Sequence, residues 1–334
     1  MAKDYGMWPL NICQIGKEAT PGTAVAATTI WRGPFGSWDD DRQTEEIPED
    51  VGTFAFSERT LDTFLGAKIP FPQGVAHYQQ MLYLAEGSIG KVSATGSGPY
   101  VRDYIAQTGD SAPNLQTYTL RVGNKLVSAD LALLAYALPM EWELSGKQQE
   151  SWKVSGTFMA PRKQSGSFTN GLDLPAWVPM VFGHSKLYID ADGGTFGTTQ
   201  KTGVLMAFSV KYTPQVEWVP IGDGDIYAKA HKIARPLITF TMQLEVEQDT
   251  GVSTVATERD HYDSKAIRLI RIDCTRDANH KMILDLAGQY TKVGAYEKSG
   301  QNNTVVTFEG KALYSPTNAN FFRMELTTPL QNIP

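Results

Sequence analysis

Two stretches of strict two-residue alternation constrain this chain more than anything else in it. Val204, Met206, Phe208, Val210 and Tyr212 alternate with Leu205, Ala207, Ser209 and Lys211. Ile238, Phe240, Met242, Leu244 and Val246 alternate with Thr239, Thr241, Gln243, Glu245 and Glu247. A period of two sends successive side chains to opposite faces of a strand, so each stretch has a dry face and a wet one. Gly- and Pro-bearing turns separate the two. Together they predict antiparallel sheet with one face left for water or for a neighbour.

The rest of the chain follows the same grammar. Ala67–Phe71 and Thr117–Val122 read as strands, and Met140–Ser145 with Ser151–Ala160 reads as a hairpin. In that hairpin Met140, Trp142 and Leu144 are expected on one face, matched by Trp152, Val154, Gly156, Phe158 and Ala160. Gly74–Gly87 has a helical period in Val75, Tyr78, Leu82 and Ala85, with Gly87 as a natural stop. Thr254–Ala266 reads as a second helix with Val255, Tyr262 and Ala266 on one side. Strands Ile267–Cys274 and Met282–Leu286 and a terminal hairpin around Ser299–Asn303 complete the chain. Residues through Ala27 show no period and read as coil that needs a surface to lie on.

At 334 residues there is room for two domains. The Pro161–Gly171 connector divides residues 1–165 from 166–334, and each half runs strand, helix, strands, hairpin. An offset of 154 carries Ser145, Gly146 and Gly156 onto Ser299, Gly300 and Gly310. It also carries Trp152, Val154 and Phe158 onto Val306, Phe308 and Ala312. An offset of 150 carries Arg121–Val122 onto Arg271–Ile272. These matches predict tandem duplication.

Charge is unevenly placed. Between Trp38 and Val51 stand Asp39, Asp40, Asp41, Glu45, Glu46, Glu49 and Asp50 against Arg42 alone, which accounts for the net charge of −6. The remainder is balanced, so composition does not support a basic nucleic-acid-binding surface. Two readings fit the acidic stretch: a solvated loop held extended by its charges, or a loop that docks on a neighbour or lines a passage. Cys13 and Cys274 lie in opposite halves, which suits a reducing compartment rather than a disulfide framework. The longest apolar run, Leu131–Leu138, falls far short of the roughly 20 residues of a membrane helix. The opening MAKDYGMWPLNIC has no hydrophobic signal segment, so synthesis and folding in the cytoplasm are expected.

Motifs for chemistry are lacking. The sequence holds no GxSxG, HExxH, Walker loop or GxGxxG opening a helix. Asp190 and Asp192, and Asp223 and Asp225, form short acidic turns that resemble part of a calcium loop. The first lacks its third ligand and the distal glutamate, and Asp-Gly is also ordinary turn chemistry. His77, His184, His231, His261 and His280 are scattered, and His184–Ser185 would point to opposite faces of a strand. No catalytic residue, cofactor or metal is predicted. Trp142 and Trp152 read as core, while Trp31, Trp38, Trp177 and Trp218 flank turns.

The segment GKEATPGTAVA, from Gly16, resembles the G-x-E-x-x-x-G-T-x-x-A opening of the tail tube proteins of long, non-contractile-tailed bacteriophages. KLYIDADGGTFGTTQKTGVLMAFSVKY and the later GDGDIYAKAHKIARPLITFTMQLEVE are similar to the centre of the same proteins. The resemblance implies a mainly β chain with two tandem tail-tube-like β-sandwich or barrel domains, each with a packed helix. Single-unit members form hexameric rings whose inner sheets join around a lumen, and a two-unit chain would close with three copies. It implies a virion-tail location, self-assembly into stacked rings, and tape-measure, tail-terminator and tail-tip partners. Double-stranded DNA would pass without sequence-specific binding.

Expected inter-ring or inter-subunit contacts are Gly16, Glu18, Thr20, Gly22, Thr23, Asp39, Asp40, Asp41, Glu45 and Glu46. Candidate lumen residues, chosen from the wet faces, are Glu141, Glu143, Thr239, Thr241, Gln243 and Glu245; a neutral or acidic bore would let DNA slide. The same residues could equally face outside solvent. Two other classes remain: a carbohydrate-binding or tail-tip module, which needs an exposed aromatic strip, and a hydrolase, which needs a cleft gathering Asp, Glu or His.

Overall fold

The computed structural model describes residues 6–49, 52, 59–127, 130–247, 252–299 and 303–334. The chain is mainly β, half of it strand and 9% helix. In the first half lie β1 (Asn11–Lys17), β2 (Ala67–Val75), α1 (Tyr78–Ser88), β3 (Tyr100–Ile105), β4 (Tyr118–Asn124), β5 (Ala132–Lys147) and β6 (Lys153–Ala160). In the second lie β7 (Ser185–Ala191), β8 (Leu205–Thr213), β9 (Leu237–Glu245), α2 (Thr254–Asp263), β10 (Arg268–Asp277), β11 (His280–Val293), β12 (Thr304–Ala312) and β13 (Phe322–Thr328). All ladders between these strands are antiparallel.

One order of pairing occurs in both halves. β4 lies between β1 and β5, β5 pairs β6, and β6 pairs β2. Correspondingly, β10 lies between β7 and β11, β11 pairs β12, and β12 pairs β9. The short pieces agree. Thr29–Ile30 lies on β1 as Gln200–Lys201 lies on β7, and Asp39–Asp40 lies on β2 as β8 lies on β9. Gln164–Ser165 pairs the start of β5 as β13 pairs the start of β11. Among the described residues β3 has no counterpart; it extends the sheet from β13.

Two glycines mark the match at atomic scale. Gly156 lies between Phe71 and Trp142, and Gly310 between Phe240 and Tyr290. A Cβ on Gly156 would sit 2.4 Å from the Phe71 ring and 2.4 Å from the Glu141 carbonyl; on Gly310 it would sit 2.3 Å from the Phe240 ring and 2.6 Å from the Gln289 carbonyl. The 154-residue offset therefore holds along β6 and β12. It fails for Ser145 and Ser299. Ser145 is inside the ladder opposite Lys153, whereas Ser299 donates its N–H to the Asn303 carbonyl at a turn. Gly300 and the rest of that turn fall outside the described residues.

The halves join edge to edge. The end of β5 pairs β8, with Trp142 opposite Tyr212 and Leu144 opposite Val210. Trp142 stacks on Tyr212 with centroids 5.3 Å apart and planes 7° apart, and its Nε1–H donates to Ser88 Oγ at 3.0 Å. Helix α1 is buried on every side because it lies between β5 of its own half and β11 and β13 of the other. Gly87 is inside this helix, not its stop. A Cβ there would meet Pro139 at 2.6 Å and the Tyr118 ring at 3.0 Å, so glycine permits close packing. Helix α2 buries only Thr254, Val255 and Glu258 and leaves its other side outward.

Several sequence expectations need correction. The coil expected through Ala27 contains β1, whose Cys13–Gly16 are all buried and so show no wet–dry alternation. The first helix starts at Tyr78; Gly74 and Val75 belong to β2. Met140 does not share the dry face of Trp142. The register shifts between Thr157 and Phe158, and Met140 is pushed out to 37% exposure. The connector after Ala160 is tied down: Gln14 and Thr169 exchange two hydrogen bonds, and Arg162 covers the Tyr227 ring at 3.7 Å.

Candidate functional site

Register alone gathers the wet-face residues. Glu143 is opposite Lys211, which is opposite Thr239; Ser145, Ser209 and Thr241 form the next row, and Lys147, Ala207 and Gln243 the next. Glu141 and Glu245 extend the same face through Thr157 and Val305. Glu141, Glu143, Thr239, Thr241, Gln243 and Glu245 thus lie on one continuous surface spanning both halves. Its reverse side is core: Trp142, Leu144, Phe208, Val210, Phe240, Met242 and Leu244 are buried.

The face carries both signs of charge. Lys147, Lys153, Lys211, Lys292 and Lys311 are interleaved with Glu141, Glu143, Glu245 and Glu309. Lys211 holds Glu141 at 2.7 Å and Lys292 holds Glu309 at 2.8 Å. The face is near balance, with much of its charge paired internally, so a polyanion would release few counterions on meeting it.

The loop after β1 is organised by Glu18. Its side chain is buried; Oε2 accepts the Gly22 N–H at 2.8 Å, and Oε1 accepts the Thr119 hydroxyl and the Tyr136 N–H, both at 2.8 Å. Tyr136 has φ of 62°, and Gly22 has φ of 80°. Gly16 is held close because a Cβ there would sit 2.5 Å from the Ala26 carbonyl. Val25 N–H donates to Thr119 Oγ1 and Ala27 N–H to Thr169 Oγ1. What remains outward is the tip, where Thr20, Gly22 and Thr23 are exposed. Glu18 shapes this tip from inside. Glu18→Ala leaves the buried Tyr136 amide and its companions without an acceptor. Its expected cost is about 1–3 kcal/mol, read as a lowered melting temperature, with proteolysis appearing first in residues 19–27.

The acidic stretch begins as an edge and becomes a hairpin. Asp39 and Asp40 lie against Lys68 and Ala67. Gln43–Glu46 pairs Thr60–Phe64, and Glu45 and Glu46 are fully outward. Arg42 holds Asp40 at 2.6 Å and Asp62 at 3.2 Å, and Lys68 holds Asp41 at 2.9 Å. Arg59 pairs with Glu49. Asp50 and Val51 lie outside the described residues. Beyond Phe64 the Leu65 N–H donates to the Ile226 carbonyl. That bond sets the acidic hairpin beside a second one, Val216–Val219 with Ala230–Ile233.

The acidic turns and the buried carboxylates Glu258 and Asp285 are occupied structurally. Asp190 accepts the N–H groups of Gly197, Thr198 and Thr199, while Asp192 accepts the Ser315 hydroxyl at 2.6 Å. Asp223 and Asp225 both hold Lys229. Buried Glu258 accepts two bonds from Arg268 and one from the Tyr290 hydroxyl, all 2.9 Å, tying α2 to β10 and β11. Buried Asp285 accepts Arg271 at 2.6 and 2.8 Å and Arg323 at 3.1 Å. Ser185 accepts the Trp152 N–H at 2.9 Å and has no base on it among these contacts. No group of three His, Cys, Asp or Glu side chains could hold a metal among the described residues. A groove of about 750 Å³ beside Tyr212, Arg235 and Tyr314 has Asp110 and Arg235 as its charged lining. Trp31, Trp142, Trp152 and Trp177 are buried, leaving Trp8 as the strongly exposed tryptophan.

No family model matches the chain, and no curated protein matches it.

Proposed function

We propose that this chain is the major tail tube subunit of a long, non-contractile-tailed bacteriophage, carrying two tandem tube-like units and closing rings of three copies. The observation that supports this most is the pairing scheme that runs twice and is spliced once, β5 onto β8, inside the chain. The second run stops short. β11 has no strand on the outer side of its end, and the Asp39–Asp40 edge has none beyond it, among the described residues.

An unpaired edge at each end of a twisted sheet invites uncontrolled association unless it is covered. A heterologous contact that repeats by rotation closes a ring and removes both edges at once. With two units per chain and six sheet segments per ring, three chains complete the circle. The balanced polar face then lines the bore, the GKEATPG tip and the acidic hairpin face adjoining rings, and DNA slides through without base readout. Tape-measure, terminator and tail-tip proteins are its proposed companions, the virion tail its location. In this reading the chain acts by geometry rather than catalysis.

Light scattering on the purified chain tests the stoichiometry. Particles of three chain masses, or integer stacks of them, are expected. A population of single chains at all concentrations is incompatible with the proposal, and six-chain rings would overturn the duplicated-unit part of it.

A further inference from the structure

We propose that copies join through one defined antiparallel seam, the end of β11 of one chain against Ser37–Asp40 of the next, with Tyr290 opposite Trp38 and Lys292 opposite Ser37. The inference rests on the ring reading above and adds the register.

The seam inside the chain supplies the template. There Trp142 faces Tyr212 and Glu143 faces Lys211. Through their other neighbours, Trp142 and Tyr290 hold the same position, since one flanks Gly156 and the other Gly310. Glu143, opposite Ser155, corresponds to Lys292, opposite Glu309, with Thr291 as an extra residue in between. On the other side, Tyr212 lies opposite Ile238, two residues before Phe240. Ile69 stands two residues before Phe71, and the Asp39–Lys68 register, continued by one residue along a segment that stays bonded to this strand through the Gly36 N–H and the Pro70 carbonyl, brings Trp38 to it. Trp38 therefore occupies the place of Tyr212, and Ser37 that of Lys211.

Exposure supports the match. Leu144 is fully buried by β8, whereas its counterpart Val293 is only partly covered, and Lys292 is outward. Arg259 Nη2 donates to the Gly294 carbonyl at 3.1 Å, which marks where the seam stops. Along the wet face Asp39 is the diagonal neighbour of Lys292, within reach of a long side chain. Tyr290, like Trp142, has its ring buried beneath the strand, packed on Phe308 with centroids 5.1 Å apart, so what the edge offers a neighbour there is backbone.

Disulfide trapping reads the register directly. Cross-strand partners fall within disulfide reach, whereas residues two strands away are roughly 10 Å apart and are not bridged. Ser37 and Lys292 are both outward, so S37C/K292C leaves the core untouched. The native thiols do not compete: both are buried, burial raises the Cys13 pKa, and it pushes Cys274 up to about 11. Mild oxidation of S37C/K292C should give covalent dimers and closed trimers on denaturing gels, reversed by reductant. S37C/E309C, displaced by one strand, should stay monomeric on the same gel. Rings visible by microscopy without the S37C/K292C bridge, or with the S37C/E309C bridge instead, would overturn the seam while leaving ring assembly standing. A chain that forms no rings at all overturns both.

Discussion

Trp142→Ala should lower the stability of the fold by about 3–5 kcal/mol, a shift of about 4–7 °C in melting temperature for a chain of this size. Trp142 is fully buried at the splice between the halves, stacked on Tyr212 and hydrogen-bonded to Ser88. Truncation opens a cavity shared by β5, β8 and α1, and a rigid sheet junction can close little of it. Trp142→Phe keeps most of the ring and loses the N–H bond, so about 1 kcal/mol is expected. Differential scanning calorimetry of both variants checks the pair. Equal, small losses would mean that the junction is not where the halves hold together.

If the proposed tube assembly holds, replacing residues 43–64 by a three-residue turn should leave the fold intact and abolish stacking of rings into tubes. Gln43 and Phe64 are cross-strand partners, so a short turn can bridge the gap. The Asp39–Asp40 ladder, the Asp41 N–H to Gly66 carbonyl bond and the Leu65 N–H to Ile226 carbonyl bond all remain. What is removed among the described residues is mostly exposed hairpin, with solvent-screened ion pairs such as Arg42–Asp62 that add little to stability. The expected product is a single ring with a melting temperature within a few degrees of the parent. Tubes of ordinary length from this variant would rule out the hairpin as the ring-to-ring contact.

How much of this was legible depends on whether a strand keeps a wet face. β8 and β9 do, and their alternation alone placed Phe208, Val210, Phe240 and Met242 in the core and Thr239, Thr241 and Gln243 together outside it. β1 does not. Covered on both sides, its Cys13, Gln14, Ile15 and Gly16 carry no period. β13 alternates Phe322, Met324 and Leu326 with Arg323 and Glu325, a signal as plain as that of β8. Met140 failed for another reason: one inserted residue reverses every facing after it, and a bulge leaves no mark in hydropathy.

The candidate surfaces were legible in outline and not in detail. The wet-face residues come together because alternation and pairing determine them jointly. Glu18 could be named from its motif, but its inward role depends on Thr119 and on the positive φ of Tyr136, both over 100 residues away. The internal match was visible at Gly156 and Gly310 because a Cβ is sterically excluded at both. It was misplaced at Ser145 and Ser299, where turn chemistry repeats without position.

Electron microscopy of the purified native chain tests the central claim most directly. End-on views should show six-lobed rings around an open centre, built from three chains and stacked in side view into tubes. Dispersed single chains with no ring at any concentration, or rings without a central hole, would contradict the account.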